Sequence, residues 1–134
     1  MIEKRILCPE RVRRIEGSFA FVEHRFLRDG FWTSLGRDEL LLYLLLVMVA
    51  DRVGLSYYGY DKLCTLLCLP VDEYLVARNA LIDKDLIAFD GRLFQVLSLP
   101  GRPVRSALRL LHLPEEMAER DPATIHQLIR DVLR

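Results

Sequence analysis

The stretch GRDELLLYLLLVMVADRVGLSYYGYDKLCTLLCLPVDEYLVARNALIDKDLIAFDGRLFQVL, residues 36–97, decides the fold. Its first third is an apolar run opened by Arg37, Asp38 and Glu39 and closed by Asp51 and Gly54. Ser34 or Gly36 lies near the cap of the helix this predicts, and two carboxylates sit at the positive end of its dipole. Apolar residues occupy every side of that helix. Periodicity therefore does not choose a buried face, and such a helix is expected to be central to the core with another face against a partner chain or the terminal segments. Leu55 to Tyr58 is β-prone but too short to stand alone, so it needs a partner strand. A second helix is expected from about Tyr60 to Cys68. Pro70 breaks it and fits the first turn of a third helix, which Asp72 and Glu73 favour and which runs to about Lys84. Leu86–Phe89, then Asp90-Gly91, then Arg92–Leu97 predicts a β-hairpin with a two-residue type I′ turn.

Helix, short strand, helix, tight turn, helix, hairpin is the order of a winged helix-turn-helix. The expected class is mainly α with a small β wing. Residues 1–35 read as an N-terminal arm and lead-in segment, residues 36–99 as the winged helix-turn-helix, and residues 100–134 as a partly helical C-terminal extension. Within the first segment, residues 1–18 are a charged arm with a helical turn expected around Arg11 to Ile15. Phe19–Val22 alternates like a short strand or extended segment, and His24–Asp29 reads as a short helix closed by Gly30 in a left-handed cap. In the last segment Pro100, Gly101 and Pro103 mark a turn. Val104–Leu113 reads equally as strand or helix, and Pro114–Arg134 as one or two helices. Asp121-Pro122 makes a start signal there, and Ile125, Leu128, Ile129 and Val132 form an apolar stripe.

Composition narrows the function classes. The chain has 134 residues, 51% of them hydrophobic and 28% charged, which is a globular balance with room for one core. No apolar run approaches the ~18 residues of a membrane span, and Lys4, Arg5, Pro9 and Glu10 interrupt any signal-peptide core. A cytoplasmic location without membrane association is the expectation, and three cysteines that cannot all pair agree with a reducing compartment. Net charge is zero. Any nucleic-acid footprint must therefore be local. Residues 1–37 are basic on balance, through Arg11, Arg13, Arg14 and their neighbours. Residues 57–99 are acidic on balance, with Asp61, Asp72, Glu73, Asp83, Asp85 and Asp90 against Lys62, Arg78, Lys84 and Arg92.

The pieces "GFWTSLGRDELLLYLLLVMVADRVGLSYYGYDKLCTLLCLP" and "VDEYLVARNALIDKDLI" resemble the winged helices of bacterial replication-initiator, primosome-type and mobile-element-associated proteins. Gly36, Asp38, Glu39, Leu40, Ala50, Asp51, Gly54, Leu86 and Ile87 carry the resemblance over about half the chain. It implies a non-catalytic protein that binds double-stranded DNA, of replication-initiator, mobile-element or transcriptional-regulator type, and a homodimer. Carried onto this chain, the third helix would enter the major groove, exposing Asp72, Glu73, Val76, Asn79, Ala80 and Asp83 with Arg78 and Lys84 flanking. Arg78 and Asn79 have side chains suited to guanine and adenine. Lys84 and the wing's Arg92 complete the DNA-binding set, and Lys62, Arg11, Arg13 and Arg14 are expected on the backbone. Where the family carries serine, threonine, arginine or lysine, this chain has Pro70, Asp72 and Glu73. The alternative is therefore a winged helix repurposed for protein contacts or oligomerisation, docking through an acidic face of Asp72, Glu73 and Asp83. A DNA reader needs Arg78, Lys84, Arg92 and the arm arginines on one face. A docking module needs that face acidic or buried.

Other constellations are weaker. Cys64 and Cys68 share a helical face, but no second Cys or His pair has metal-ligand spacing, so buried thiols are the expectation and no metal or cofactor is assigned. Tyr57, Tyr58, Tyr60 and Tyr74 read either as base-stacking rings or as padding for the core and sheet edge, the second being favoured. Arg11, Arg13 and Arg14 read equally as a minor-groove arm or, interleaved with Glu10 and Glu16, as a solvated face. No Gly-rich phosphate loop, H-E-x-x-H or G-x-S-x-G is present, and no enzyme is expected.

Overall fold

The computed structural model describes residues 2–104. It is mainly helical, with a small antiparallel sheet formed after the helices. Five helices and three strands follow in the order α1 (Arg25–Arg28), α2 (Phe31–Ser34), α3 (Arg37–Val49), β1 (Leu55–Ser56), α4 (Tyr60–Leu67), α5 (Val71–Asp83), β2 (Ile87–Phe89) and β3 (Phe94–Val96). The sheet order is β1-β3-β2, so the short strand after α3 pairs with the far strand of the hairpin. A marginal two-stranded ribbon thereby becomes a three-stranded sheet.

The helix ends follow from local chemistry. Helix α3 stops at Val49, before the expected Gly54, because Asp51 diverts the backbone: its carboxylate accepts from the Val53 and Leu55 amides, both at 2.9 Å. Gly54 then adopts φ +89°, and its carbonyl accepts from the Val96 amide at 2.8 Å. Helix α4 closes through Cys68 in the left-handed region, with the Leu69 amide donating to the Cys64 carbonyl. Pro70 stands one residue outside α5 as its cap.

One core unites these elements. Leu42, Tyr43, Leu46 and Val47 of α3 pack with Leu63 of α4, Tyr74, Leu75, Ala77 and Leu81 of α5, and Leu86, Ile87 and Phe94 of the hairpin. The lead-in helices join it: Phe26 stacks on Tyr43 with ring centroids 4.9 Å apart, and Phe31 is 1% exposed. Arg25 fastens this end, donating to the Leu99 and Pro100 carbonyls at 2.8 Å each and lying over the Phe31 ring.

Two local expectations are corrected and one is narrowed. The hairpin turn is a four-residue loop, Asp90–Leu93, because Phe89 pairs with Phe94. Only Gly91 has positive φ there, and the Asp90 carboxylate satisfies the Arg92 and Leu93 amides, which a two-residue type I′ turn would not require. Those two bonds hold the Asp90 carboxyl below its ordinary range. The N-terminal turn is a 3-10 turn at Pro9–Arg11, set by the proline, instead of a helix at Arg11–Ile15. Of the two readings of Phe19–Val22, a short strand or an extended segment, the strand does not form. The expectations for 105–134, including Arg105, Arg109 and the Ile125–Val132 stripe, lie outside the described residues. No helix among the described residues is long and apolar enough to cross a membrane.

A Cβ on Gly54 would sit 2.5 Å from the Val96 carbonyl oxygen. Gly54→Ala therefore combines left-handed strain, about 1–3 kcal/mol, with a backbone clash. Chemical denaturation is expected to show a loss above about 2 kcal/mol. A loss under about 0.5 kcal/mol would show that β1 and β3 are not held this closely.

Candidate interaction surface

The burial pattern of α5 decides what this protein can present. Tyr74, Leu75, Ala77, Arg78, Asn79, Leu81 and Asp83 all lie inside. The expectation that Arg78, Asn79 and Lys84 face outward is corrected: they are 5%, 6% and 9% exposed. Asp83, assigned to the acidic docking face, is corrected in the same way at 4%. A thirteen-residue helix covered by α3, α4 and the hairpin has little outward surface left. Its polar middle is drawn in with its apolar neighbours.

Each buried cation has a stated setting. The Lys84 ammonium donates to the Ser34 carbonyl at 2.8 Å and pairs with the Glu39 carboxylate. Arg78 lies 4.8 Å over the Phe89 ring, and its Nε and one terminal nitrogen donate to Asn79 Oδ1 at 3.4 and 3.3 Å. These side chains join α5 to the start of α3 and to the hairpin. Tyr74, beside Arg78, is 1% exposed, and burial pushes its phenol up to about 12 while the guanidinium pulls only part of the way back.

What α5 does present is Val71, Asp72, Glu73, Val76 and Ala80. Asp72, Glu73 and Val76 line a shallow cleft of about 520 Å³ whose other wall is Gly36, Arg37, Asp38 and Glu39. Asp38 continues along α3 into Leu41, Leu45 and Met48, spaced 3, 7 and 10 residues on and hence on one face. Leu41 is 44% and Met48 66% exposed. Asp38 and this stripe are the surface residues that sequence reasoning missed. Their only signal was that α3 is apolar all round, which names no face.

The remaining candidates are spread out. Lys62 is exposed on α4, lying 6.0 Å over the Tyr58 ring, and Arg92 is exposed on the β2–β3 loop. Arg11, Arg13 and Arg14 are exposed on the arm, where Arg14 pairs with Glu16 at 3.9 Å. A groove of about 1020 Å³ runs between α5, the start of α4 and the hairpin. Of the tyrosines grouped from the sequence, all at this groove, Tyr57 and Tyr60 are exposed, Tyr58 is half-buried and Tyr74 is core. Cys64 is half-buried, its thiol pushed up by burial and then by Asp61, and Cys68 is exposed. Among the described residues no three His, Cys, Asp or Glu side chains converge as metal ligands. The chain matches no protein-family model, no curated protein and no solved structure.

Two outcomes follow from the buried groups. Lys84→Ala leaves the half-buried Glu39 without its ammonium and is expected to cost about 3 kcal/mol. In a double-mutant cycle Glu39→Ala/Lys84→Ala should recover part of that loss, and strictly additive losses would rule out coupling. For Tyr74, the phenol is protonated in both states below pH 10. Between about 10 and 12 the unfolded chain gives up its proton first, so stability falls as pH rises through that window. Tyr74→Phe should flatten this alkaline limb in melts taken across it, whereas an unchanged limb would assign it to other groups.

Proposed function

We propose that this chain is a non-catalytic winged helix that works by docking protein through the acidic and apolar outward face of α3 and α5. The winged-helix half of the reading is supported by the order helix, strand, helix, helix, hairpin and by the sheet order β1-β3-β2. In that reading α3, α4 and α5 are its three helices and the Asp90–Leu93 loop is the tip of its wing. The functional half is carried by one observation: α5 has no exposed cation. Its single arginine and the lysine at its end are buried, while Asp72 and Glu73 stand at its outer start. A helix with that face repels phosphates where a DNA-reading helix must approach them. The same face, acidic at one end and apolar along Val76, Leu41 and Met48, suits a basic, partly apolar protein segment.

A second reading has its own observation. Arg11, Arg13, Arg14, Lys62 and Arg92 are all exposed, so phosphate contacts through the arm and the body's edge would hold a duplex without α5 in the groove. Replication-initiator, mobile-element and regulator roles are compatible with either reading, since proteins in each work within assemblies on DNA.

Fluorescence anisotropy of a labelled random duplex and of its single strand, at low and physiological salt, separates the two. The docking reading expects no salt-sensitive binding at micromolar protein. Binding that weakens steeply with salt, and that Arg11→Ala/Arg13→Ala/Arg14→Ala removes, would replace it with the arm-held DNA reading.

A further inference from the structure

The most conspicuous feature outside the core is the arm. Residues 2–23 are exposed throughout, yet they carry large apolar side chains: Ile6 is 67% exposed, Leu7 89%, Ile15 59%, Phe19 67% and Phe21 72%. Among the described residues its polar contacts are local: a Cys8–Glu10 bond, the Pro9–Arg11 turn, the Arg14–Glu16 pair and, where it joins the body, Glu23 with Arg25 and the Phe26 amide. Contact with phosphates would use Arg11, Arg13 and Arg14 but leave this apolar surface in water. At ~3.3 Å per residue the arm reaches up to ~70 Å, well beyond the body it is attached to. Large exposed apolar side chains repeated along one segment are what a protein interface requires.

We infer that the arm of one copy docks on the body of a second copy, laying its Arg11–Ile15 segment in the cleft between α3 and α5 and its apolar side chains along the α3 stripe. This rests on the docking reading above and names its occupant. Charge complementarity selects the partner. The arm segment Arg11-Val12-Arg13-Arg14-Ile15 interleaves cations with β-branched residues, and the cleft offers Asp38, Asp72 and Glu73 around Val76 and Ala77, three carboxylates against the exposed cation of Arg37 at its edge. Glu39, the fourth carboxylate there, is already taken by Lys84. Beyond the cleft, the exposed Leu41 and Met48, with half-buried Leu45 between them, continue as an apolar track for Phe19 and Phe21 or for Ile6 and Leu7. The exchange is self-complementary, so two copies related by a two-fold axis make it twice.

The test is a charge swap on the full chain, read by sedimentation equilibrium and light scattering. The native chain is expected to be a dimer. Arg11→Glu/Arg13→Glu/Arg14→Glu should raise its dissociation constant at least about tenfold, and so should Asp38→Arg/Asp72→Arg/Glu73→Arg. Mixing the two variants should restore dimers, because each arm then meets a cleft of opposite charge. All six positions are on the surface, and unchanged circular-dichroism melts will show that both variants fold. A native chain that is monomeric at 100 µM scale overturns the exchange. A dimer insensitive to both reversals overturns it too, placing the contact elsewhere. Recovery in a single chain carrying all six changes, without recovery on mixing, also overturns it, because the arm would then cover its own cleft or residues 105–134 would hold the dimer. The duplex titration described above tests the docking reading separately. A monomer that ignores DNA removes the exchange alone, whereas salt-sensitive duplex binding removes the reading beneath it.

Discussion

The Lys84 ammonium is the contact on which the rest of the arrangement turns. It sits at the end of α5, yet its two partners are the last carbonyl of α2 and a carboxylate in the first turn of α3. One side chain thereby fixes the end of α5 to α2 and α3, whose contacting residues lie 50 and 45 positions earlier in the chain. A buried ion pair seldom adds much net stability over an apolar substitute, but breaking it is costly, so its effect here is to specify orientation. With Lys84 anchored inward, the rotation of α5 about its own axis is settled. Arg78, six residues earlier, comes to lie against Phe89 on the hairpin, and Asp72 and Glu73 are left facing outward.

That rotation explains how a chain of zero net charge acquires surfaces of opposite sign. Two cations of the helical body are consumed by the interior, and the acids at the starts of α3 and α5 remain, where helix dipoles favour them. The exposed arginines Arg11, Arg13 and Arg14 stay on the arm. The separation arises from packing, since the composition of residues 57–99 alone gives only a mild acidic balance.

The parts of this structure legible in the sequence are those set by short-range chemistry. Gly30 closes α1 in the left-handed region, and the strand after α3, too short to stand alone, finds a partner in the hairpin; Gly54 was legible as a break but not as the close approach to β3. Each depends on one residue and its neighbours. The face of α5 was not legible. Its inside holds Tyr74, Arg78, Asn79 and Asp83 together with leucines, so no apolar stripe distinguishes inside from outside. Only the position of Glu39, 45 residues before Lys84, makes an inward lysine sensible. The hairpin loop shows the same limit on a smaller scale: Asp90-Gly91 signals a turn, but the register comes from the stacking of Phe89 on Phe94 at 4.3 Å. The acidic half of the candidate surface was named through Asp72 and Glu73. Asp38 and Met48 escaped because they join it only once α3 and α5 are packed.

An apolar side chain on an exposed arm and an apolar side chain on an exposed helix face pose the same physical question. Leu41 and Met48 on α3, like Phe19 and Phe21 on the arm, leave hydrocarbon in water that burial would release at roughly 25 cal/mol per Å². Scattered singly, such residues need no explanation. Here they form two continuous tracks, and each track is joined to charge, basic on the arm and acidic beside α3. Apolar area supplies association energy, and the paired charges choose which surfaces meet. Helix α5 has turned its cations inward while the arm has kept its own outward, and that contrast is the premise of the proposed exchange.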